Sequence, residues 1–126
     1  MENTEFKDYI NWFEIPVLNI NRAVNFYNHI YGFEMEIVES GAFSMAFFPT
    51  DNGIGGALVM GQGCIPSDVG ILIYLNGGND LNVIANKIEA AGGRIIMPKT
   101  LISDDAGYYA IFIDTEGNKL ALHSNN

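Results

Sequence analysis

The sequence predicts an α+β domain in which two βαβββ modules, roughly residues 9–61 and 69–123, form a curved mixed sheet around a pocket. Three observations support this fold class. The 126 residues are 48% hydrophobic and 17% charged, which suits a single domain with its own core. Two segments carry apolar residues at helical spacing, and each is followed by glycine. Short runs rich in β-branched and aromatic residues flank these segments in the same order in both halves.

The first module begins with a strand over residues 9–18. Pro16 favours the edge of a sheet or a seam for this strand, because proline cannot donate to a ladder. Asn19 is a typical N-cap, and Gly32 ends the helix that follows. The apolar face of that helix consists of Ile20, Ala23, Val24, Tyr27, Ile30 and Tyr31. Three strands are then expected at residues 33–39, 43–49 and 56–61.

The second module repeats this order. We expect a strand at residues 71–75, a helix over 81–91 that ends at Gly92-Gly93, and a short strand at 94–97. A polar loop over 98–107 then leads to strands at 108–114 and 119–123. One βαβββ unit leaves a sheet face uncovered, so two units can curve their sheets around a shared concavity with the helices outside. Such a concavity is the natural place for a ligand.

Charge and composition exclude several functions. Six basic residues against 15 acidic ones give a net charge of −9, which argues against nucleic acid or an anionic membrane surface as a partner. No stretch is long and apolar enough for a membrane span. Residues 1–8 lack the basic and apolar regions of a signal peptide, and the single Cys64 excludes an internal disulfide framework. We therefore expect a cytoplasmic protein whose ligand is neutral or cationic.

Short motifs stand out near both helices and in the last turn: Glu14-Ile-Pro-Val17, Asn19, Arg22-Ala23, Phe26-Tyr27, Gly32, Ala90-Ala-Gly-Gly93 and Phe112-Ile-Asp-Thr-Glu-Gly-Asn118. Together they resemble the motifs of the vicinal oxygen chelate superfamily, which includes glyoxalase I, bleomycin-resistance proteins, fosfomycin-resistance proteins and extradiol dioxygenases. Thr115 stands where the family usually has proline. The resemblance implies a homodimer, with the pocket formed either within one chain or with modules of the partner.

The resemblance also implies a divalent metal ion held by His, Glu or Gln side chains from the first and fourth strands of each half. In this sequence Trp12 and Ala121 occupy two of those positions, and residues 56–60 offer no ligand. The strand over residues 70–75 offers only Tyr74, a poor ligand for this chemistry. We therefore expect no metal and no cofactor, which argues against glyoxalase I or metal-dependent dioxygenase activity.

Strand alternation selects the candidate catalytic residues, Glu14 and His123. If Trp12 and Ala121 point into the concavity, so do the residues two positions further on. A carboxylate and an imidazole would then share one pocket, as a general base with a polar partner or as two ligand anchors. Alternatively, Glu14 bonds a backbone amide or Arg22, and His123 lies at a solvated strand end. A novel metal site that uses both residues and a further acid also stays open.

The candidate ligand-binding residues form an apolar and aromatic wall: Trp12, Phe47, Met60 and Tyr74. Core packing is the competing interpretation for Phe47 and Met60. The loops over residues 62–68 and 104–107 are either lids or plain connections. Cys64 has no base nearby in the sequence that would make it a nucleophile.

Three functions follow from these residues. The first is a metal-independent small-molecule-binding protein of the bleomycin-resistance type. The second is a glyoxalase-like lyase or isomerase with an atypical site in which Glu14 is the base or a ligand. The third is a non-catalytic partner domain whose pocket is filled by Trp12 and Phe47.

Overall fold

The computed structural model describes residues 5–126, so part of the N-terminal segment weighed above as a signal peptide lies outside the described residues. Eight strands and two helices follow one another in the order β1 (Trp12–Pro16), α1 (Ile20–Tyr31), β2 (Ile37–Ser40), β3 (Phe43–Phe47), β4 (Gly55–Met60), β5 (Tyr74–Asn76), α2 (Leu81–Ala85), β6 (Arg94–Ser103), β7 (Gly107–Ile113) and β8 (Lys119–Ser124). No helix in the described part of the chain has the length and hydropathy needed to cross a bilayer.

The strands form two four-stranded mixed sheets with identical topology. Their orders are β1-β4-β3-β2 and β5-β8-β7-β6. In each sheet the first strand runs parallel to the last strand of its module, and the remaining pairs are antiparallel. The predicted α+β class and the duplicated βαβββ order are therefore confirmed. The backbone hydrogen bonds divide the strands between two sheets, and Pro16 lies in the edge strand β1.

Helix α1 begins and ends where the sequence predicts. The Asn19 side chain accepts a hydrogen bond from the Arg22 N–H, which caps the first turn. Gly32 adopts a left-handed conformation with φ of 71° and donates its N–H to the Asn28 carbonyl. The buried face of the helix comprises Ile20, Ala23, Val24, Phe26, Tyr27 and Ile30. It differs from the predicted face because Phe26 is buried and Tyr31 is only partly buried.

Strand β2 begins at Ile37 and not at residue 33. The second module departs from its predicted boundaries in three places, the first being β5, which begins at Tyr74 and not at residue 71. Helix α2 ends at Ala85, and tighter hydrogen bonds such as Lys87 N–H to the Ile84 carbonyl continue the chain as turns. Asparagines of low helix propensity, including Asn86, account for the early end. Strand β6 continues to Ser103, through the region predicted as a loop. It accommodates Pro98 because it is an edge strand and its register with β7 shifts there.

One hydrophobic cluster contains residues from both modules. Helix α1 contributes Phe26, whose ring centroid lies 4.8 Å from that of Tyr27 and 6.1 Å from that of Phe112 in β7. A Cβ on Gly93 would lie only 2.8 Å from the Phe26 ring, so the absence of a side chain there permits this packing. The first module's helix thus packs against the second module's sheet.

A buried carboxylate joins the two modules. Glu116, in the turn between β7 and β8, accepts the backbone N–H groups of Leu18 and Asn19, each at 2.8 Å. The Arg22 guanidinium adds an ion pair at 2.7 Å. Burial opposes ionisation of Glu116, but the Arg22 and backbone hydrogen bonds outweigh it and lower the pKa of Glu116. Glu116 therefore holds the start of α1 on the second module as an ionised group.

Asp114 lies two residues before Glu116 in the same region. It accepts the Tyr27 hydroxyl at 2.8 Å and the backbone N–H groups of Glu116 and Asn118, each at 2.9 Å. Burial raises the pKa of Asp114, although these hydrogen bonds partly oppose the effect. The Asn118 amide continues the link by donating to the Pro16 carbonyl at 2.7 Å.

Candidate functional site

The face of the first sheet that is turned away from the core, here called the first open face, carries Trp12 and Glu14. Ile15, the residue between Glu14 and Pro16, is 2% exposed and belongs to the core. Trp12 stands opposite Gly55 in the parallel β1–β4 register. A Cβ on Gly55 would lie 2.9 Å from the Trp12 ring, so the ring lies directly over this glycine. The position of Trp12 thus depends on the missing side chain at Gly55.

Phe47 lies beside Trp12 on the same face. It pairs with Ala57 on β4, and its ring centroid is 6.1 Å from that of Trp12, with 57° between the ring planes. Trp12 is 45% exposed and Phe47 is 43% exposed. The β4 residues opposite these rings, Gly55 and Ala57, are too small to cover them, so both rings stay partly exposed. We call this pair of rings the aromatic shelf.

Glu14 adds a carboxylate to the edge of the aromatic shelf. Its Oε2 accepts a hydrogen bond from the Trp12 indole Nε1 at 3.3 Å, and its side chain is exposed. The alternative partner weighed from the sequence, Arg22, binds Glu116 instead. Glu14 therefore faces solvent and the shelf.

A cleft of about 300 Å³ opens where β1 meets the second module, and we call it the seam cleft. Glu14 and Pro16 line one side, and Lys119 and Asn118 line the other. The segment before β5 completes the cleft with Ile65, Ser67, Val69, Ile71 and Ile73. The same alternation that selected His123 also places Lys119 on that face of β8, a signal that the sequence analysis missed.

The second sheet carries its own cleft, of about 490 Å³, next to β5 and β8. Tyr74 and His123 line it, together with Leu75, Asn76, Gly78, Ser124 and Asn125. His123 Nε2 lies 2.6 Å from the Ala106 carbonyl oxygen, which requires a proton on that nitrogen. Because Glu14 lines the seam cleft and His123 lines this second cleft, the expectation that they share one pocket is not met. The β6–β7 turn instead holds the imidazole.

Met60 also departs from its predicted place. It pairs with Ser44 and packs partly buried against the hydrophobic core. Two-residue alternation along β4 puts it on the opposite side of the sheet from Gly55 and Ala57. Met60 therefore does not share a wall with Trp12, and core packing is the better description of its role.

The two modules place equivalent pairs on their open faces. Trp12 stands opposite Gly55 in the first module, and Tyr74 stands opposite Ala121 in the second. Each pair thus combines one aromatic ring with a residue that has little or no side chain.

Among residues 5–126, no group of three or more His, Cys, Asp or Glu side chains is arranged to hold a metal ion.

Known proteins share this architecture. The solved structures that superpose on the chain include a glyoxalase/bleomycin resistance protein from Albidiferax ferrireducens, with a TM-score of 0.69, 14% identity and coverage of 94% of this chain and 100% of that one. TnmS3, an antibiotic binding protein from a Streptomyces species, superposes with a TM-score of 0.62 and 19% identity, over 94% of this chain and 97% of that one. A third structure is a mutant of the fosfomycin resistance protein FosX from Listeria monocytogenes, complexed with Mn(II) and a dihydroxypropylphosphonic acid. Its TM-score is 0.62 and its sequence identity is 17%, over 97% of this chain and 93% of that one.

At these low identities the superpositions show a shared fold alone. No curated protein sequence gives a significant match. A family model described as the Glyoxalase/Bleomycin resistance protein/Dioxygenase superfamily matches residues 9–122. Since that match spans nearly the whole chain, the protein belongs to the Glyoxalase/Bleomycin resistance protein/Dioxygenase superfamily.

Proposed function

We propose that this protein binds a small neutral or cationic molecule on the aromatic shelf, with Glu14 as its polar anchor and without a metal ion. The observation that carries the proposal is the pair of half-exposed rings, Trp12 and Phe47, with a carboxylate hydrogen-bonded to one of them. Large exposed aromatic side chains that lie together mark a surface that a ligand can cover.

The charges favour a cation over an anion. Aromatic faces attract ammonium groups, and Glu14 supplies the opposite charge at the same place. The chain as a whole carries −9, so its field attracts cations and repels anions. A neutral molecule gains only the contact with the rings, and we expect it to bind more weakly than an amine of the same shape.

Metal-free binding is proposed because the donor set does not suit a divalent ion. Trp12 and Ala121 occupy two of the positions where the superfamily resemblance puts metal ligands, residues 56–60 offer no ligand, and residues 70–75 offer only the Tyr74 hydroxyl. The description of TnmS3 as an antibiotic binding protein agrees with a binding function on this fold. We extend that function to this chain as part of the proposal.

A glyoxalase-like lyase or isomerase is the second candidate. The observation that favours it is the presence of Glu14 and Lys119 in one cleft. A carboxylate there could remove a proton, and an ammonium could stabilise the negative charge that develops on a carbonyl oxygen. The third interpretation, a pocket filled by Trp12 and Phe47, is less favourable because both rings stay exposed and a cleft of about 300 Å³ remains beside Glu14.

Trp12 is the single tryptophan of the chain and its indole donates a hydrogen bond to Glu14, so its fluorescence reports both on the aromatic shelf and on Glu14. We would titrate the protein with phenethylamine, phenethyl alcohol and hydrocinnamate, which share a phenyl ring and differ in charge. Phenethylamine should bind with a Kd on the order of 1 mM, the alcohol more weakly and the anion weakest. Changes in Trp12 emission that are equal for all three compounds, or absent, would contradict the proposal.

Two variants test the roles of individual side chains. Phe47→Leu removes one ring of the aromatic shelf, and Glu14→Gln removes the anchoring charge; each should weaken phenethylamine binding about fivefold. Glu34→Gln is the matched control, because it removes an exposed carboxylate that lines neither cleft. If Glu34→Gln weakens binding as much as Glu14→Gln, only the net charge matters and the anchor role fails.

We also propose that the chain forms a homodimer in the cytoplasm. The edge strand β6 leaves Ile96, Leu101 and Ile102 each about half exposed, which is an apolar surface that a second copy can bury. Light scattering coupled to size exclusion should give twice 13.8 kDa, and a monomer mass at micromolar concentration would contradict it.

A further inference from the structure

The seam cleft presents one negative and one positive group that do not pair with each other. Glu14 lines it from β1 and Lys119 from β8. The ion pairs of the described residues are Arg22–Glu116 and Lys99–Asp80, so neither group belongs to one. The Glu14 carboxylate accepts only the long hydrogen bond from the Trp12 indole. An ammonium and a carboxylate therefore remain available on the walls of one cleft.

The uncharged polar groups of the seam cleft are already engaged. The Asn118 amide donates to the Pro16 carbonyl, and its oxygen accepts the Ser67 N–H at 3.1 Å. The Ser67 hydroxyl bonds the backbone of Val69. Polar recognition in this cleft thus falls to Glu14 and Lys119.

The remaining lining is apolar and uncovered. Ile65, Val69 and Ile71 line the cleft, yet they are 75%, 76% and 93% exposed. A ligand with an apolar body would remove part of this surface from water, which stabilises the complex by about 25 cal/mol for each Å² covered. The cleft thus combines an apolar wall with two opposite charges.

We propose that the ligand is a zwitterion with an apolar body, such as an amino acid with an aromatic or aliphatic side chain. Its ammonium would bind Glu14 and its carboxylate would bind Lys119. This inference rests on the proposed function, because Glu14 anchors the ligand in both. The net charge of −9 on the chain repels a free anion, but it does not repel a zwitterion, because a zwitterion has no net charge. A molecule that lacks either group leaves one charge of the cleft uncompensated and binds less tightly.

Three phenyl compounds distinguish the groups of the ligand: L-phenylalanine carries both charges, phenethylamine lacks the carboxylate, and hydrocinnamate lacks the amine. Trp12 fluorescence should show phenylalanine binding about tenfold more tightly than phenethylamine to the unmodified protein. Lys119→Gln should abolish that preference and leave phenethylamine binding within twofold of its original value. Lys87→Gln removes the same charge from a residue that lines neither cleft, and it should preserve the preference.

The outcomes separate this inference from the proposed function. Equal binding of phenylalanine and phenethylamine overturns the zwitterion proposal and leaves cation binding on the aromatic shelf intact. A tenfold preference that survives Lys119→Gln overturns it as well, because another group must then recognise the carboxylate. If neither compound changes Trp12 emission, both proposals fail. The zwitterion proposal is supported if the preference for phenylalanine over phenethylamine is lost in Lys119→Gln and kept in Lys87→Gln.

Discussion

The two modules share a backbone plan and differ in what they place on it. Each puts an aromatic residue of its first strand opposite a small residue of its last strand, Trp12 over Gly55 and Tyr74 opposite Ala121. In the first module a second ring and a carboxylate join the aromatic residue. In the second module the nearby polar group, His123, is bound to the Ala106 carbonyl.

This difference shows how a duplicated fold can place different side chains and polar contacts on equivalent faces. Strand pairing fixes which positions face the clefts, because side chains alternate along a strand. The neighbours of each position then decide whether its polar group is available to a ligand. Glu14 is available on the first face, whereas the imidazole on the second face already has a backbone partner.

The largest expected effect comes from breaking the contact that holds the modules together. Glu116→Gln keeps the shape of the side chain and removes the charge that binds Arg22 and the Leu18 and Asn19 N–H groups. We expect a loss of about 2 kcal/mol at pH 7, less than for a fully buried ion pair because Arg22 is half exposed. Urea unfolding measures it, with the exposed Glu34→Gln as control.

The same variant should show a defined pH dependence. The folded pKa of Glu116 is lowered below its ordinary value of 4.5, so its charge stabilises the fold above pH 4.5 and this contribution is lost as pH falls through the lowered value. The stability gap between the original protein and Glu116→Gln should therefore shrink on acidification. The raised pKa of Asp114 is common to both proteins and cancels in the difference. A gap that stays constant down to the acid-unfolding range would contradict this role.

Gly55→Ala makes the first module resemble the second at the facing pair. The new Cβ would lie 2.9 Å from the Trp12 ring, so the exposed indole must move. We expect phenethylamine binding to weaken about fivefold while the free energy of unfolding changes by less than about 1 kcal/mol. The reciprocal change, Ala121→Gly, should leave binding unchanged and cost about 1 kcal/mol through backbone entropy. Trp12 emission and urea unfolding check both, and equal binding losses in the two variants would remove the distinction between the modules.

The smallest effect on binding is expected at His123. His123→Asn removes the hydrogen bond to the Ala106 carbonyl and alters the second cleft alone. Phenethylamine should bind within twofold of its original affinity, and the free energy of unfolding should fall by about 1 kcal/mol. A tenfold loss of binding would mean that the two clefts act as one site, as the sequence alone suggested.

Much of the fold was predictable because local signals specify it. The cap at Asn19 and the left-handed Gly32 lie where the sequence places them, and the apolar face of α1 differs from its prediction only at Phe26 and Tyr31. The β6 strand was predicted too short because Pro98 indicates a break, whereas an edge strand with shifted register tolerates it. Pro98 agrees with an edge strand as well as with a break, and the local sequence alone does not decide between the two.

The site was predictable only in part, for a related reason. Alternation correctly put Trp12 and Glu14 on one face, since it depends on a single strand. The relation between Glu14 and His123 depends on how two sheets meet and on the β6–β7 turn, which no spacing in the sequence specifies. The same applies to Lys119, which lines the seam cleft together with Glu14 but belongs to no sequence motif.

Metal-independent binding on the aromatic shelf is the central claim, and one titration tests it most directly. Phenethylamine would be titrated against Trp12 fluorescence in chelator-treated protein whose metal content has been measured by plasma mass spectrometry. The titration would be repeated after addition of Ni, Zn, Mn or Fe. We predict the same Kd in every sample and no stoichiometric metal. Binding that appears only with a bound metal, and metal that is lost in Glu14→Ala or His123→Ala, would contradict the claim and favour a metal-dependent enzyme.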